Sequence, residues 1–359
     1  IALTTVGRYF GVGENAIEGF KVLMREAPEH FKMIIPRPTA TSSQLEINKY
    51  LTFPGVMSYL AGIWIINLNY WGCNQYITQR ALGADLQTAR TGILFAGILK
   101  LFMPLIVMLP GIAAFVLYEN GHLPQLVGGK DGAYSAVLTF LPTGLKGLSV
   151  AALTAAIVAS LAGKVNSIST IYTLDIHKKY IQKDATDRGQ VNIGRIAVFG
   201  AMLLAVVFTW NDLLGIGGVG GFTYIQKYTG FISPGVFAMF FLGMFWKRTT
   251  GTAAIVGVIA GFLLSVLFNE FAPALFGNET LLYTAFPNGN GGFEIPFHIC
   301  MGLSFAFTML LMIAISFAGP KVNPKAFELD SEMFKLKPQT TVLIVITLLT
   351  IFALYAKFW

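Results

Sequence analysis

Long apolar runs alternate with short polar connections along this chain, and eight of them stand out, at residues 54–78, 91–118, 143–173, 192–214, 222–246, 252–271, 293–317 and 340–359. Each reaches the roughly 20 residues that a helix needs to cross hydrocarbon. The pattern predicts an all-α, multi-pass membrane protein embedded in a lipid bilayer. Ahead of the first run, residues 6–50 are mixed in charge, with an amphipathic stretch at 14–25 and a loop rich in Pro, Thr and Ser at 36–43. This segment reads as a long loop on the membrane surface.

Polar residues interrupt the first run in a definite order. Its centre is Ile-Ile-Asn67-Leu-Asn69-Tyr70-Trp71-Gly72-Cys73-Asn74-Gln75, and Asn67, Tyr70, Trp71 and Asn74 recur at i, i+3, i+4 and i+7. That spacing places them on one face of a helix. An amide in hydrocarbon is costly unless something pairs with it, so the stripe points to a polar ligand or a partner helix. Pro54, Gly55, Gly62 and Gly72 punctuate the same run. Breaks of this kind free backbone groups, which a membrane tolerates where they line a cavity or pack against protein.

Composition narrows the class further. Of 359 residues, 55% are hydrophobic and 12% charged, against roughly 25% charged in soluble domains. The formal charge of +7 does not signal nucleic acid, because the basic residues fall in short loops. Alternate loops hold Arg80, Arg90, Lys178, Lys179, Lys183, Arg188, Lys247, Arg248, Lys321, Lys325, Lys335 and Lys337, whereas the opposite set holds Lys130. The first set is therefore expected on the cytoplasmic side. The long segment before the first run carries six basic and five acidic residues and falls outside. Cys73 and Cys300 lie within apolar runs and suggest neither a disulfide scaffold nor a metal site. His30, His122, His177 and His298 are scattered. No nucleophile with its base and no phosphate-binding glycine loop is present, so the chain does not read as an enzyme.

Three further features carry candidate chemistry. Lys100 lies roughly 14 Å into the second run at 1.5 Å per residue, where it either meets a ligand or carboxylate or snorkels to the cytoplasm. The third run is dense in small residues from Ala151 to Gly163, followed by Asn166, Ser167, Ser169 and Thr170. Small residues four apart allow close helix contact, and the same hydroxyls and carbonyls suit a hard cation. The fifth run follows Gly217, Gly218, Gly220 and Gly221 and carries Gln226, either a ligand group or an interhelical bridge. The last three runs hold few polar residues and read as lipid-facing packing helices.

The chain contains Asn67-Leu-Asn-Tyr70-Trp71-Gly-Cys-Asn-Gln75, Leu109-Pro-Gly-Ile-Ala-Ala114, Asn166-Ser-Ile-Ser-Thr-Ile-Tyr-Thr-Leu-Asp175 and Tyr224-Ile-Gln226-Lys-Tyr-Thr-Gly230. These words resemble the sodium/solute symporter family, in its sodium/glucose cotransporter branch. The resemblance covers nearly the whole chain. It implies a five-plus-five inverted-repeat fold of the LeuT type with accessory helices. Residues 54–248 would form the second five-helix repeat, the transport core, and 249–359 three accessory transmembrane helices. Residues 1–53 would be the end of a preceding helix and an extracellular or periplasmic loop. The opening at Ile1, in what reads as the tail of an apolar segment, fits the later part of a longer protein, with the N-terminal repeat preceding it.

By the same resemblance, Asn67, Lys100 and Gln226 hydrogen-bond a sugar, and Tyr70 stacks on its ring as an inner gate with Trp71 beside it. Sodium would bind the third run, where Ala156 offers a carbonyl and Ala159 and Ser160 occupy what is commonly a pair of hydroxyl residues. One hydroxyl is thus missing. Lys164, one turn past Ser160, and Lys227, beside Gln226, are further departures. The implied activity is sodium-coupled uptake of a hexose such as galactose or glucose by alternating access, in a cell membrane and most simply a bacterial inner membrane. Two alternatives stay open: a symporter for an anionic sugar or other carboxylate solute, using Lys100 and Lys227, and a membrane sugar sensor that does not transport.

Overall fold

A computed structural model describes residues 1–123, 129–210 and 221–359. Three helices precede the first span: α1 (Ala2–Tyr9), α2 (Ala16–Glu26) and α3 (Gln44–Thr52). The Asn15 side chain accepts from the Ile17 amide to start α2, and Ser43 and Glu46 form a reciprocal capping box at α3. The amphipathic stretch is α2, with Val22 and Leu23 buried.

Among the described residues, eight helical stretches are long and apolar enough to cross a membrane, and each overlaps one of the eight expected runs. The chain is a multi-pass membrane protein. The first span departs from the expected straight helix. After a single turn at Gly55–Met57 come a π-helical segment at Ser58–Gly62, then α4 (Ile63–Leu68), then a second π-helical segment at Asn69–Cys73. Asn74 is extended, and α5 (Gln75–Ala81) follows it. A π turn adds a residue to the backbone spacing. Asn67, Tyr70, Trp71 and Asn74 therefore do not share the single straight α-helical face that their spacing predicts.

The second span consists of α6 (Leu86–Leu101) and α7 (Met103–Glu119). Its break follows from Pro104, which has no N–H for the Lys100 carbonyl. Bonds from Phe102 N to Leu99 O and from Leu105 N to Phe102 O tighten the join. At the other end of α6, Asp85 accepts from the amides of Gln87 and Thr88. The Thr88 hydroxyl above all, and then those amide bonds, hold its carboxyl below the usual range.

After the short α8 (Ala133–Leu138), α9 (Thr143–Thr170) runs into a π-helical segment at Ile171–Ile181, and α10 (Asp187–Thr209) follows. Residues 211–214 of the fourth expected run, and Gly217, Gly218 and Gly220, lie outside the described residues. The fifth span is α11 (Gly221–Phe245), with Pro234 inside it. The sixth is α12 (Gly251–Val266), a π-helical segment at Leu267–Phe271, and α13 (Ala272–Phe276). Strands β1 (Phe286–Pro287) and β2 (Phe293–Glu294) pair antiparallel, Phe286 opposite Glu294. The seventh span, α14 (Phe297–Phe317), begins four residues later than expected, because residues 293–294 belong to this hairpin and Pro296 caps the helix. The last is α15 (Pro338–Phe358).

The chain divides into two compact units: Ile1–Phe31 with Leu99–Gly221, and Lys32–Ile98 with Phe222–Trp359. In the first, Val6, Val22 and Leu23 pack with Ile112, Ala113, Ala114, Val116 and Leu117, so the Leu109-to-Ala114 word forms part of a packing seam. In the second, Ala253, Gly257, Gly261 and Ser265 of α12 are buried, as are Ser304, Thr308, Met312 and Ser316 of α14. Small residues at every fourth position bring helices into close contact. The reading of the last three runs as lipid-facing packing helices is sharpened for α12 and α14, which pack on each other while Ile255, Ile259, Leu263 and Leu310 stay exposed. It fits α15, whose most apolar stretch is not buried at all.

Candidate substrate site

The polar residues of the first span separate by role once the backbone is in place. Asn74 accepts from the Tyr76 amide at 3.0 Å and is the cap of α5. Asn67 Nδ2 turns back on its own helix to the Ile63 carbonyl at 2.8 Å. Asn69 Nδ2 instead reaches α11, donating to Ser233 Oγ at 3.2 Å. Tyr70 and Trp71 stand edge to face, with ring centroids 5.8 Å apart at 87°. Tyr70 is 41% exposed, within the π-helical segment Asn69–Cys73.

Gln226 is half-buried on α11. The first span meets α11 and α14 through apolar contacts as well. Trp64 lies 5.9 Å from Phe237 and 5.3 Å from Phe305, and Ile66 clusters with Phe297 and Met301. Gly62 admits the backbone of α14 at His298, which a Cβ would strike. The second unit thus brings together the two elements that carry Asn67, Tyr70, Trp71 and Gln226.

Lys100, Ala156, Ala159 and Ser160 belong to the first unit. Lys100 is exposed at the end of α6, and Ala156, Ala159 and Ser160 are all exposed along α9. Further along α9 the packing closes. Ser167 is buried, and Gly194 of α10 leaves room for the Ser169 hydroxyl.

Lys227 has a partner on a neighbouring span. Its Nζ lies 3.9 Å from Glu270 Oε1 in the π-helical segment after α12. An ammonium already facing a carboxylate is a poor partner for an anionic sugar. Sequence reasoning passed over Glu270, Asn69 and Ser233. An acid inside an apolar run was a readable signal for Glu270, and Ser233 directly precedes Pro234. Nothing in the spacing separates Asn69 from Asn67, because the π-helical turn decides which amide faces the neighbouring helix.

Spans interrupted near their middles, with amides and aromatic rings at the interruptions, are a feature of many membrane transporters. The sodium:solute symporter family profile matches residues 15–261, and the chain belongs to that family. A sodium/glucose cotransporter of Vibrio parahaemolyticus is 36% identical to it, over 98% of this chain and 62% of the relative. Sodium/myo-inositol cotransporter 2 of Mus musculus is also 36% identical, over 60% of this chain and 33% of its own length. The sodium/myo-inositol cotransporter of Bos taurus is 35% identical over 58% of this chain and 30% of its own. The chain therefore spans less than two thirds of each of these relatives.

Proposed function

We propose that the full-length protein is a secondary active transporter that takes up a hydroxyl-rich solute, a hexose or a related polyol, together with sodium. The observation that carries this reading is the exposed Tyr70 ring beside Trp71, at a backbone opening that follows the Asn67 amide. An aromatic face suits sugar C–H bonds, and amide and ammonium groups suit hydroxyls. By the family resemblance Asn67 and Gln226 of the second unit supply hydrogen bonds, with Tyr70 as the gate, and Lys100 of the first unit is a further candidate donor. Sodium is held on α9 by the Ala156 carbonyl and the Ala159–Ser160 step. The relatives' names support both ligands, and glucose and myo-inositol are alike in carrying many hydroxyls.

In this reading residues 54–248 are the second of two five-helix repeats and residues 249–359 are accessory. The first repeat is supplied by the rest of the protein, and alternating access moves one repeat against the other. The Lys227–Glu270 pair favours a neutral solute over a carboxylate. Radiolabelled uptake by the full-length protein tests the proposal. Asn67→Ala or Gln226→Ala is expected to abolish saturable, sodium-dependent uptake at unchanged expression. Uptake that survives both changes, or is indifferent to replacement of sodium by choline, overturns it. Competition between unlabelled glucose, galactose and myo-inositol ranks the solutes.

A further inference from the structure

The first span and α11 share a polar contact that the sugar chemistry above does not use. Asn69 Nδ2 donates to Ser233 Oγ at 3.2 Å, and Ser233 donates onward to the Thr229 carbonyl at 2.9 Å. Ser233 is 1% exposed. Both ends of the contact stand at backbone interruptions. Asn69 opens the π-helical segment that closes at Cys73. Ser233 directly precedes Pro234, which has no N–H to offer the Gly230 carbonyl. Helices bend at such places.

The contact also links the two parts of the proposed site. Tyr70 and Trp71 immediately follow Asn69, and Gln226 lies about two helical turns before Ser233 on the same helix. The neighbouring contacts, Trp64 with Phe237 and Ile66 with Met301, are apolar. Apolar packing sets how close two helices come but tolerates sliding, whereas a hydrogen bond is directional and fixes register. Stability alone is a poor reason for this amide. Asn69 Oδ1 is buried without a hydrogen-bond partner, and an unsatisfied buried acceptor carries its full desolvation penalty.

We propose that Asn69 is a positioning residue, whose hydrogen bond to Ser233 locks the π-helical opening of the first span against the proline break of α11. The lock holds the Tyr70–Trp71 wall in register with Gln226. This inference rests on the sugar-site reading for what is positioned, but the lock itself has a readout independent of sugar. Cys73 closes the π-helical segment and is half-buried, while Cys300 is fully buried. Alkylation at Cys73 therefore reports opening of the segment.

The experiment uses the full-length protein in vesicles with three changes: Asn69→Ala, Ser233→Val and Ser233→Thr. Thr and Val match in shape, and only Thr keeps the hydroxyl. Three quantities are read: maleimide alkylation at Cys73 by peptide mass spectrometry, the sugar KM and kcat, and the melting temperature. Asn69→Ala and Ser233→Val are expected to raise both the Cys73 alkylation rate and the KM by about fivefold to tenfold with kcat unchanged; the melting temperature holds in Asn69→Ala and falls in Ser233→Val, which leaves the Asn69 amide unpaired. Ser233→Thr is expected to behave as the unmodified protein. If Cys73 keeps its original rate in both Asn69→Ala and Ser233→Val, or if Ser233→Thr matches Ser233→Val, the lock is overturned. If the unmodified protein transports no sugar while the Cys73 rates shift as expected, the sugar reading falls and the lock stands.

Discussion

Gly261 has no side chain, and the Gly235 Cα of α11 lies 2.5 Å from where its Cβ would stand, with the Thr308 hydroxyl of α14 at 3.1 Å. A methyl group there must push backbone rather than a movable side-chain end. Gly261→Ala is therefore expected to cost about 1–3 kcal/mol, read as a lower melting temperature in detergent. Gly243 sits near the end of α11 with nothing within 4 Å of its missing Cβ. Gly243→Ala is expected to be neutral or slightly stabilising, since alanine favours helix by up to about 1 kcal/mol. Equal effects at the two positions would mean that α11, α12 and α14 do not pack this closely. Single-residue roles of this kind were poorly legible in the sequence. Gly261 and Gly243 look alike in an apolar run, and their difference lies in which neighbour arrives. Asn67, Asn69 and Asn74 likewise look equivalent, yet one bonds its own helix, one bonds α11 and one caps α5.

Elements show a different balance. Where each span begins and ends was largely legible, because about twenty apolar residues bounded by charges leave little choice. Where a span is interrupted was less so. Pro104 gave a readable reason for the α6–α7 break, and Gly62 and Gly72 marked the two π-helical segments of the first span, whereas the segments after α9 and α12 contain neither glycine nor proline. One of them places Glu270 against Lys227 across two spans, at 3.9 Å with side chains 48% and 25% exposed. Removing one partner leaves a lone charge at the edge of an apolar region, and removing both leaves none. Glu270→Gln and Lys227→Met are each expected to lower stability by about 1 kcal/mol, given the exposure. The double change is expected to recover most of that loss. Additive losses in thermal melts of the three variants would show that the two side chains act separately. Arg90 of α6 offers a second check, because it donates to the carbonyls of Met333 and Lys335 in the connection before α15. Arg90→Ala should make tryptic cleavage after Lys335 faster, and an unchanged rate would mean that this anchor does not hold the connection.

For the molecule as a whole, the sequence carried the class and the family, and the proposed coupling of sodium to solute rests on both. In a symporter the two ligands share a binding free energy, so each raises the affinity for the other by the same factor. The weak point of the proposed sodium site is Ala159, where the family resemblance leads one to expect a hydroxyl. A hard cation gains from every added oxygen ligand. Ala159→Ser changes one atom on an exposed position of α9 and is not expected to disturb packing. In the full-length protein it should lower the sodium concentration for half-maximal uptake by about threefold to tenfold, the worth of one added polar contact. Reciprocity then requires more than a better sodium site. At subsaturating sodium, equilibrium sugar binding should strengthen in the variant, because more of the protein carries sodium, whereas at saturating sodium the two proteins should bind sugar alike. A sodium dependence that does not move with Ala159→Ser would remove this position from the site. Sugar binding that shifts at saturating sodium as well would show that the serine acts on the solute directly, so titrating both ligands against each other separates the two roles.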